Sequence, residues 1–282
     1  MQSSISCHLF LYHDLLADGV VETIAEYGFS TIELWAMQPH FPYRDDKRIE
    51  EIADFMEKRG VTASSAHLPL YEKVHAPGKP STLLSPSDPN EARRKRWVQE
   101  ASLASISAHK LGAKVLTFHT DLDFSTGSEE KEKAFHRSVV EMLEAVPFAG
   151  CRLAIENILS GAKYFEGLLR IIEPYHKDKV GLTLDIGHAH IGGDVVEAIK
   201  IAAPRLASIH AHDNDGTSDD HLLPGKGTVP WDNVIKTLGE TSFDGPLVWE
   251  IRDTTAGNDP GLMKKRKILE EIRRYDANFS GP

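Results

Sequence analysis

Eight short apolar runs alternate along the chain with longer stretches in which apolar residues recur every three to four positions. The runs are ISCHLF (5–10), TIELW (31–35), VTASSAH (61–67), KVLTFH (114–119), RLAIE (152–156), VGLTLD (180–185), LASIHAH (206–212) and LVWEI (247–251). Their length and composition predict strands. Helical periodicity is expected near 14–28, 48–59, 89–111, 129–147, 163–174, 194–203, 231–239 and 261–275. Strand first and helix second, eight times over, predicts an α/β chain closing into a single (β/α)₈ TIM barrel, one domain spanning 1–282. A doubly wound open sheet usually carries a glycine-rich loop after its first strand. Here the first run continues into LYHDLL (11–16), which has none, so the barrel is favoured.

Punctuation agrees with these spans. Asp88, Pro89 and Glu91 form a cap, first-turn proline and capping-box pattern for the third helix, and Gly112 closes it. Asp194 is an expected N-cap, and Pro174 and Pro204 stand where two helices should stop. The loops after strands two, three, four and seven are long: 36–47, 68–85, 120–128 and 213–230. In a barrel these lie at the C-terminal mouth, where substrate pockets are built.

The ends of the runs carry the chemistry. Four of them finish on His67, His119, Glu156 and Asp185, the eighth reaches Glu250 one place before its end, and the seventh carries His210, with His212 two places on. Acids and imidazoles are poor strand residues and costly to bury unpaired. A parallel barrel gathers all strand ends at one mouth, so the repetition predicts a metal-centred site. Glu156, Asp185, His210 and Glu250 form an oxygen-rich set suited to Mn²⁺, Mg²⁺ or Co²⁺, with Zn²⁺ also allowed.

Composition narrows the class. The chain has 282 residues and a formal net charge of −10, which argues against nucleic acid as a partner. Two cysteines, Cys7 and Cys151, in different runs predict no disulfide and a reducing cytoplasm. The first residues lack the charge and apolar pattern of a signal peptide, and no run is long enough to span a membrane. Assembly into a homo-oligomer is left open.

The stretches LDIGHAHIGGD, HAHDNDG, DDHLLPGKGTVPW and GPLVWE resemble the xylose isomerase-like TIM-barrel superfamily over essentially the whole chain. That superfamily includes sugar-phosphate isomerases and epimerases, ketose epimerases, inosose dehydratase and endonuclease IV. The resemblance implies that Glu156, Asp185, His210 and Glu250 hold one divalent metal. It further implies that Glu156 and Glu250 exchange a proton of a sugar, sugar phosphate or polyol ketone through an enediolate. His188 then matches a position touching substrate or a further metal. In the endonuclease IV branch, a trinuclear zinc phosphodiesterase of abasic DNA, additional ligands would be His67, His119, His188, Asp219 and His221. Against that branch, the loops DLDFSTGSEEKEK and DNDGTSDD are acidic where DNA contact requires basic residues. Against the ketose epimerases, the strand-seven loop lacks the arginine they use to hold substrate. An inosose dehydratase-like lyase would use the same groups.

The remaining candidates are weighed one by one. His67, Trp35 and Lys226 are expected at the substrate alongside His188, although a core role for Trp35 and a solvated one for Lys226 compete. Phe41 and Tyr43 serve either a sugar face or the core. Glu33 is expected to line the barrel floor or pair with Lys or Arg in a structural role, and His8 to face the core more than the cavity. The run RRKR (93–96) is expected on an exposed helical face. Trp231 and Trp249 are expected in the core.

Overall fold

The computed structural model describes residues 2–10, 16, 18–71, 82–124, 127–146, 150–252 and 262–279. Its strands are β1 (Gln2–Ser6), β2 (Thr31–Trp35), β3 (Thr62–His67), β4 (Val115–Phe118), β5 (Arg152–Glu156), β6 (Val180–Asp185), β7 (Leu206–Ala211) and β8 (Pro246–Trp249). They pair in parallel, in sequence order, and β1 closes on β8. The helices are α1 (Asp18–Glu26), α2 (Asp46–Arg59), α3 (Glu91–Lys110), α4 (Glu129–Ala145), α5 (Ala162–Ile172), α6 (Ile186–His190), α7 (Val195–Ala202), α8 (Trp231–Gly239) and α9 (Leu262–Phe279). This is the expected (β/α)₈ barrel. No helix among the described residues is long and apolar enough to cross a membrane.

Alternation along each strand divides the side chains between two environments. In VGLTLD, Leu182 and Leu184 turn outward to the helices, while Thr183 and Asp185 turn into the lumen. The outer set joins one apolar core that includes Ile5, Ile32, Leu116, Trp97, Phe135 and Leu269, all at most 2 % exposed. Trp231 and Trp249 belong to it, as expected. Both cysteines are buried and unbridged. The lumen is different. Barrels commonly fill it with branched aliphatics, but here Ser4, Ser6, Ser65, Thr117, Thr183 and Ser208 are buried in it. The Thr117 and Thr183 hydroxyls meet across it at 2.8 Å. This hydroxyl layer supports the groups above it.

Four local readings are corrected. The run 5–10 is a strand only to Ser6; Cys7–Phe10 turns into a 3-10 helix, with the His8 N–H donating to the Ser6 hydroxyl (3.3 Å). The cap of α3 is Asn90, which accepts from the Arg93 N–H (3.1 Å), while Asp88 accepts from the Asn90 N–H (2.8 Å). Pro89 therefore precedes the cap instead of sitting inside the helix. Helix α6 is unexpected: at five residues, with a glycine second, it has no periodicity to read. Asp194 caps α7 as expected. The expected start of the first helix at 14, the loop stretch 72–81 and the edges at 147 and 261 lie outside the described residues.

The fourth correction concerns RRKR. Arg93, Lys95 and Arg96 lie on the exposed side of α3, but Arg94 is fully buried between α3 and α4. Its guanidinium donates to Glu91 (2.7 Å), Glu141 (2.6 Å) and the Ser138 hydroxyl (3.1 Å). Two partly exposed carboxylates make this burial tolerable. Arg94→Ala should lower unfolding free energy by about 2–4 kcal/mol in urea titrations, because three acceptors lose their donor at once. Arg93→Ala should change it by less than about 0.5 kcal/mol.

Candidate metal centre

Register brings the strand-end donors together. Asp185 pairs with His210 across β6 and β7, and Trp35 with His67 across β2 and β3. His119 and Glu250 lie one residue past β4 and β8, at the same mouth. Donor atoms of Glu156, Asp185, His210 and Glu250 all fall within 4.8 Å of one another, every residue buried. His67, His119 and Glu156 form an adjoining set that shares Glu156. On the other side Asp185, His188 and His212 form one set and His212, Asp219 and His221 another. All nine expected positions thus enter one contiguous cluster, and His212 joins them.

Backbone carbonyls orient three of the imidazoles. Nδ1–H of His67 donates to Leu68 O (2.9 Å), of His188 to Asn157 O (2.9 Å), and of His221 to Glu250 O (2.8 Å). Each Nε2 is thereby turned into the cluster: His67 toward Glu156 (3.3 Å), His188 and His221 toward Asp219 (3.6 and 3.1 Å). His210 is reversed. Its Nε2–H donates to Glu33 Oε2 (3.0 Å), leaving Nδ1 for the cluster. Glu33 is itself held by the Ser6 and Ser65 hydroxyls (3.3 and 2.9 Å). It does line the floor, as expected, but its partner is a histidine and not Lys or Arg. A carboxylate behind an imidazole is the usual support of a metal ligand.

A metal fits these donors. His210 Nδ1 and Glu250 Oε2 lie 2.7 Å apart, yet neither makes a hydrogen bond, and Asp219 Oδ1 makes none either. Buried ligand atoms left so close and without a hydrogen bond cost stability unless a cation takes them. The mixed carboxylate and imidazole set accepts Mn²⁺, Co²⁺ or Zn²⁺, and Mg²⁺ less readily where nitrogen is required.

Electrostatics follows from packing. Burial works against charge on His210, but Glu33, Glu156 and Glu250 outweigh it and hold the imidazole well above its ordinary range. Likewise burial opposes the charge of His188, and Asp185, Asp219 and Glu156 hold it up to about 10. The carboxylates respond in kind. Burial would raise Glu156, but His210 and His119 bring it well below its usual range; Glu250 and Asp219 are also held low by neighbouring imidazoles against burial.

Loop seven completes the cluster. Asp213 accepts four N–H groups: Asn214 and Val229 on Oδ1 (2.9 and 3.0 Å), Gly225 and the Trp231 indole on Oδ2 (2.8 and 3.1 Å). Its backbone bridges Leu222 in both directions at 2.8 Å. The fold-back this enforces places Asp219 and His221 over the mouth. His221 takes φ 49°, a left-handed conformation that a non-glycine residue adopts only when its surroundings impose it.

Two residues have roles that sequence reasoning did not assign. His212 donates to Asp185 Oδ2 (3.1 Å) and stacks on His221 at 4.0 Å; Gly187 makes room for it, since a Cβ there would lie 2.0 Å from its ring. Asn157 grips the Asp185 backbone N–H and C=O (2.7 and 3.1 Å). The signals were HAH at 210–212 and the asparagine after Glu156, neither with a spacing rule attached. His8 is a correction: its ring lies 4.7 Å from Trp35 and 5.1 Å from His221, in the cavity wall, and burial lowers its pKa to about 3. Trp35 stacks on His67 at 4.2 Å. Phe41 and Tyr43 are buried, the Tyr43 hydroxyl on Glu100 (2.9 Å), so the core role holds. Lys226 is not brought to the cluster; its Nζ lies 3.9 Å from Glu271 on α9. A cation does reach the mouth from strand eight: the Arg252 guanidinium is 3.8 Å from Asp219.

The family model of the xylose isomerase-like TIM barrel matches residues 21–275. The chain belongs to that family. An uncharacterised protein of Methanocaldococcus jannaschii is 28 % identical, over 96 % of this chain and 89 % of its own. A D-psicose 3-epimerase of Ruminiclostridium cellulolyticum is 23 % identical, over 82 % of this chain and 76 % of its own. The crystal structure of an IolI protein with a bound zinc atom shares the fold at TM-score 0.75 and 17 % identity, covering 99 % of this chain and 98 % of that one.

Two outcomes are expected. Elemental analysis should find a divalent metal that Glu156→Gln and His210→Ala each reduce; unchanged content in both sinks the assignment. Second, the raised imidazole pKa means His210 carries a proton at neutral pH that a metal must displace. Binding should therefore release protons, and affinity should fall as pH falls. Calorimetry in two buffers of different ionisation enthalpy reads this directly, and equal heats in both would contradict it.

Proposed function

We propose that the protein is a divalent-metal-dependent isomerase or epimerase of a sugar, sugar phosphate or polyol ketone. The observation carrying this reading is that Glu156 and Glu250 both approach His210, with oxygens 3.3 and 2.7 Å from its Nδ1. The psicose epimerase relative and the family support it. A cation held by Glu156, Asp185, His210 and Glu250 would polarise a substrate carbonyl and stabilise charge developing on its oxygen.

The chain's own groups then supply the proton chemistry. Both glutamates are ionised at neutral pH, which is the form a base requires. One removes the proton next to the carbonyl; the other returns it, on the same or the opposite face. A carboxylate held low is a weak base, and the buried site offsets this by excluding water. His188, with Nε2 turned toward the mouth, orients a substrate hydroxyl. Trp35 offers an apolar face beside His67 for the sugar ring. Elimination of water from the same enediolate would need no other groups, so a lyase of an inosose-like substrate shares this assignment.

A second reading has its own observation. The flanking sets His67–His119–Glu156 and His212–Asp219–His221, with His188 beside them, offer places for further metals. Three zinc ions there would suit a phosphodiesterase of the endonuclease IV type. The acidic chain and its acidic loops oppose a DNA substrate.

Metal stoichiometry separates the two. One hard metal per chain is expected; close to three zinc ions together with cleavage of an abasic-site duplex would reverse the order. For the first reading, Glu250→Gln should cut deuterium incorporation from heavy water into active ketoses by about 10²–10⁴ while substrate binding is mostly kept. His188→Ala should weaken binding more than turnover. Full-rate exchange by Glu250→Gln would move the proton transfer elsewhere.

A further inference from the structure

His8 stands in the cavity wall outside the four-donor set. It belongs to the 3-10 turn Cys7–Phe10 that follows β1. The other three residues of that turn, Cys7, Leu9 and Phe10, are apolar and join the core. The imidazole instead approaches Glu250. One of its ring nitrogens, a ring nitrogen of His221 and a Glu250 carboxylate oxygen all lie within 4.8 Å of one another, and the three residues are buried.

The ring is held in place by its neighbours. Trp35 lies 4.7 Å from it and His221 5.1 Å, centroid to centroid. The His8 N–H donates to the Ser6 hydroxyl (3.3 Å), and that hydroxyl donates to Glu33 (3.3 Å), the support of His210. The turn presenting His8 is thus tied to the floor that presents a metal ligand. Orientation fixed before binding is what a recognition group requires. A phenyl or isobutyl group could fill the same wall without the cost of burying a polar ring.

The other glutamate has a comparable neighbour, since His188 Nδ1 lies 3.7 Å from Glu156 Oε1. A base stands about 3–3.5 Å from the atom it attacks. With a His8 nitrogen no more than 4.8 Å from a Glu250 oxygen, a hydroxyl on the carbon adjoining the reacting one comes within its reach. An imidazole nitrogen suits a hydroxyl, because it can donate to it or accept from it.

We infer that His8 is a specificity-determining residue: it hydrogen-bonds the substrate hydroxyl on the carbon adjoining the one whose proton Glu250 exchanges. This role presupposes the proton-transfer reading given above and adds a requirement to it. A ketone lacking that hydroxyl is rejected, because a buried polar group then faces a C–H in place of an oxygen. His188 holds a hydroxyl beside Glu156 and His8 holds one beside Glu250, so each carboxylate works on a substrate kept in register.

The test uses the metal-loaded full chain. His8→Phe keeps a ring between Trp35 and His221 but removes both nitrogens; His8→Leu replaces it if melting curves show that Phe is too large to fold. His8→Asn keeps a donor and an acceptor. In heavy-water exchange with an active ketose, His8→Phe should raise KM about tenfold or more and change kcat less, with metal content unchanged. His8→Asn should recover part of the loss. Against a panel of monodeoxy ketoses, wild type should discriminate most strongly against one, and that discrimination should vanish in His8→Phe.

Unchanged KM in His8→Phe overturns the inference while exchange by wild type leaves the proton-transfer reading standing. Equal losses on the parent ketose and every deoxy analogue also overturn it, since they mark a packing role. Calorimetry with xylitol, an open-chain polyol, reads the contact without turnover. Xylitol binding weakened at least about tenfold by His8→Phe and restored by His8→Asn, with no exchange on any ketose, upholds the hydroxyl contact and removes the enediolate reading. No exchange, with xylitol binding absent or the same in wild type and His8→Phe, overturns both.

Discussion

The rest of the structure answers one electrostatic demand: four carboxylates, Glu33, Glu156, Asp185 and Glu250, are buried around the single imidazole of His210. Charge removed from water at this depth costs several kcal/mol per group unless it is compensated. Each carboxylate has its compensation from another strand. Ser6 and Ser65 hold Glu33, His67 and His119 face Glu156, and His212 with the His188 N–H holds Asp185. Glu250 is left with the least, its Oε2 beside His210 and out of hydrogen-bond alignment. An aliphatic lumen would pack better but could not stabilise these groups, which accounts for the serine and threonine layer beneath them. Stability lost in the lumen is offset by the apolar jacket between strands and helices.

Compensation and ligand presentation are the same set of contacts. The Nδ1–H groups of His67, His188 and His221 bond to backbone carbonyls at or just past strand ends, where the chain leaves the sheet and those oxygens lack a ladder partner. The barrel thereby fixes each ring's orientation without using another side chain. His210 lies one residue inside β7, so its support comes from Glu33 on the floor, and its ring enters the cluster through the other nitrogen.

The fold was legible because strand and helix periods differ and eight units repeat. The nine donors were legible because acids and histidines at apolar strand ends have no packing reason to be there. What escaped has a different character. Glu33 reads as one acid inside a strand, and its partner His210 lies 177 positions away, a separation that no local pattern encodes. His8 was expected in the core because its run looked like unbroken strand, whereas the turn at Cys7 swings it into the cavity wall. Arg94 hid among three exposed cations, and only the packing of α3 on α4 distinguishes it. Sequence pattern specifies which residues are out of place; tertiary geometry alone specifies their partners.

Loop seven has to be explained under any of these chemistries. A loop that merely covered the mouth would need neither a buried aspartate accepting four N–H groups nor a strained histidine. Left-handed backbone at a non-glycine residue costs of order 1–3 kcal/mol and persists only when neighbours over-determine it. Here they do: His221 is held through its ring to Glu250 O, through its own carbonyl by the Arg252 N–H, and by stacking on His212. The effect is to hold Asp219 within reach of three imidazoles while one of its oxygens stays without a hydrogen bond. Strain maintained to keep an acceptor unsatisfied is hard to reconcile with a purely structural role. It is what a site requires when it must offer that oxygen, already oriented, to something brought in from solvent.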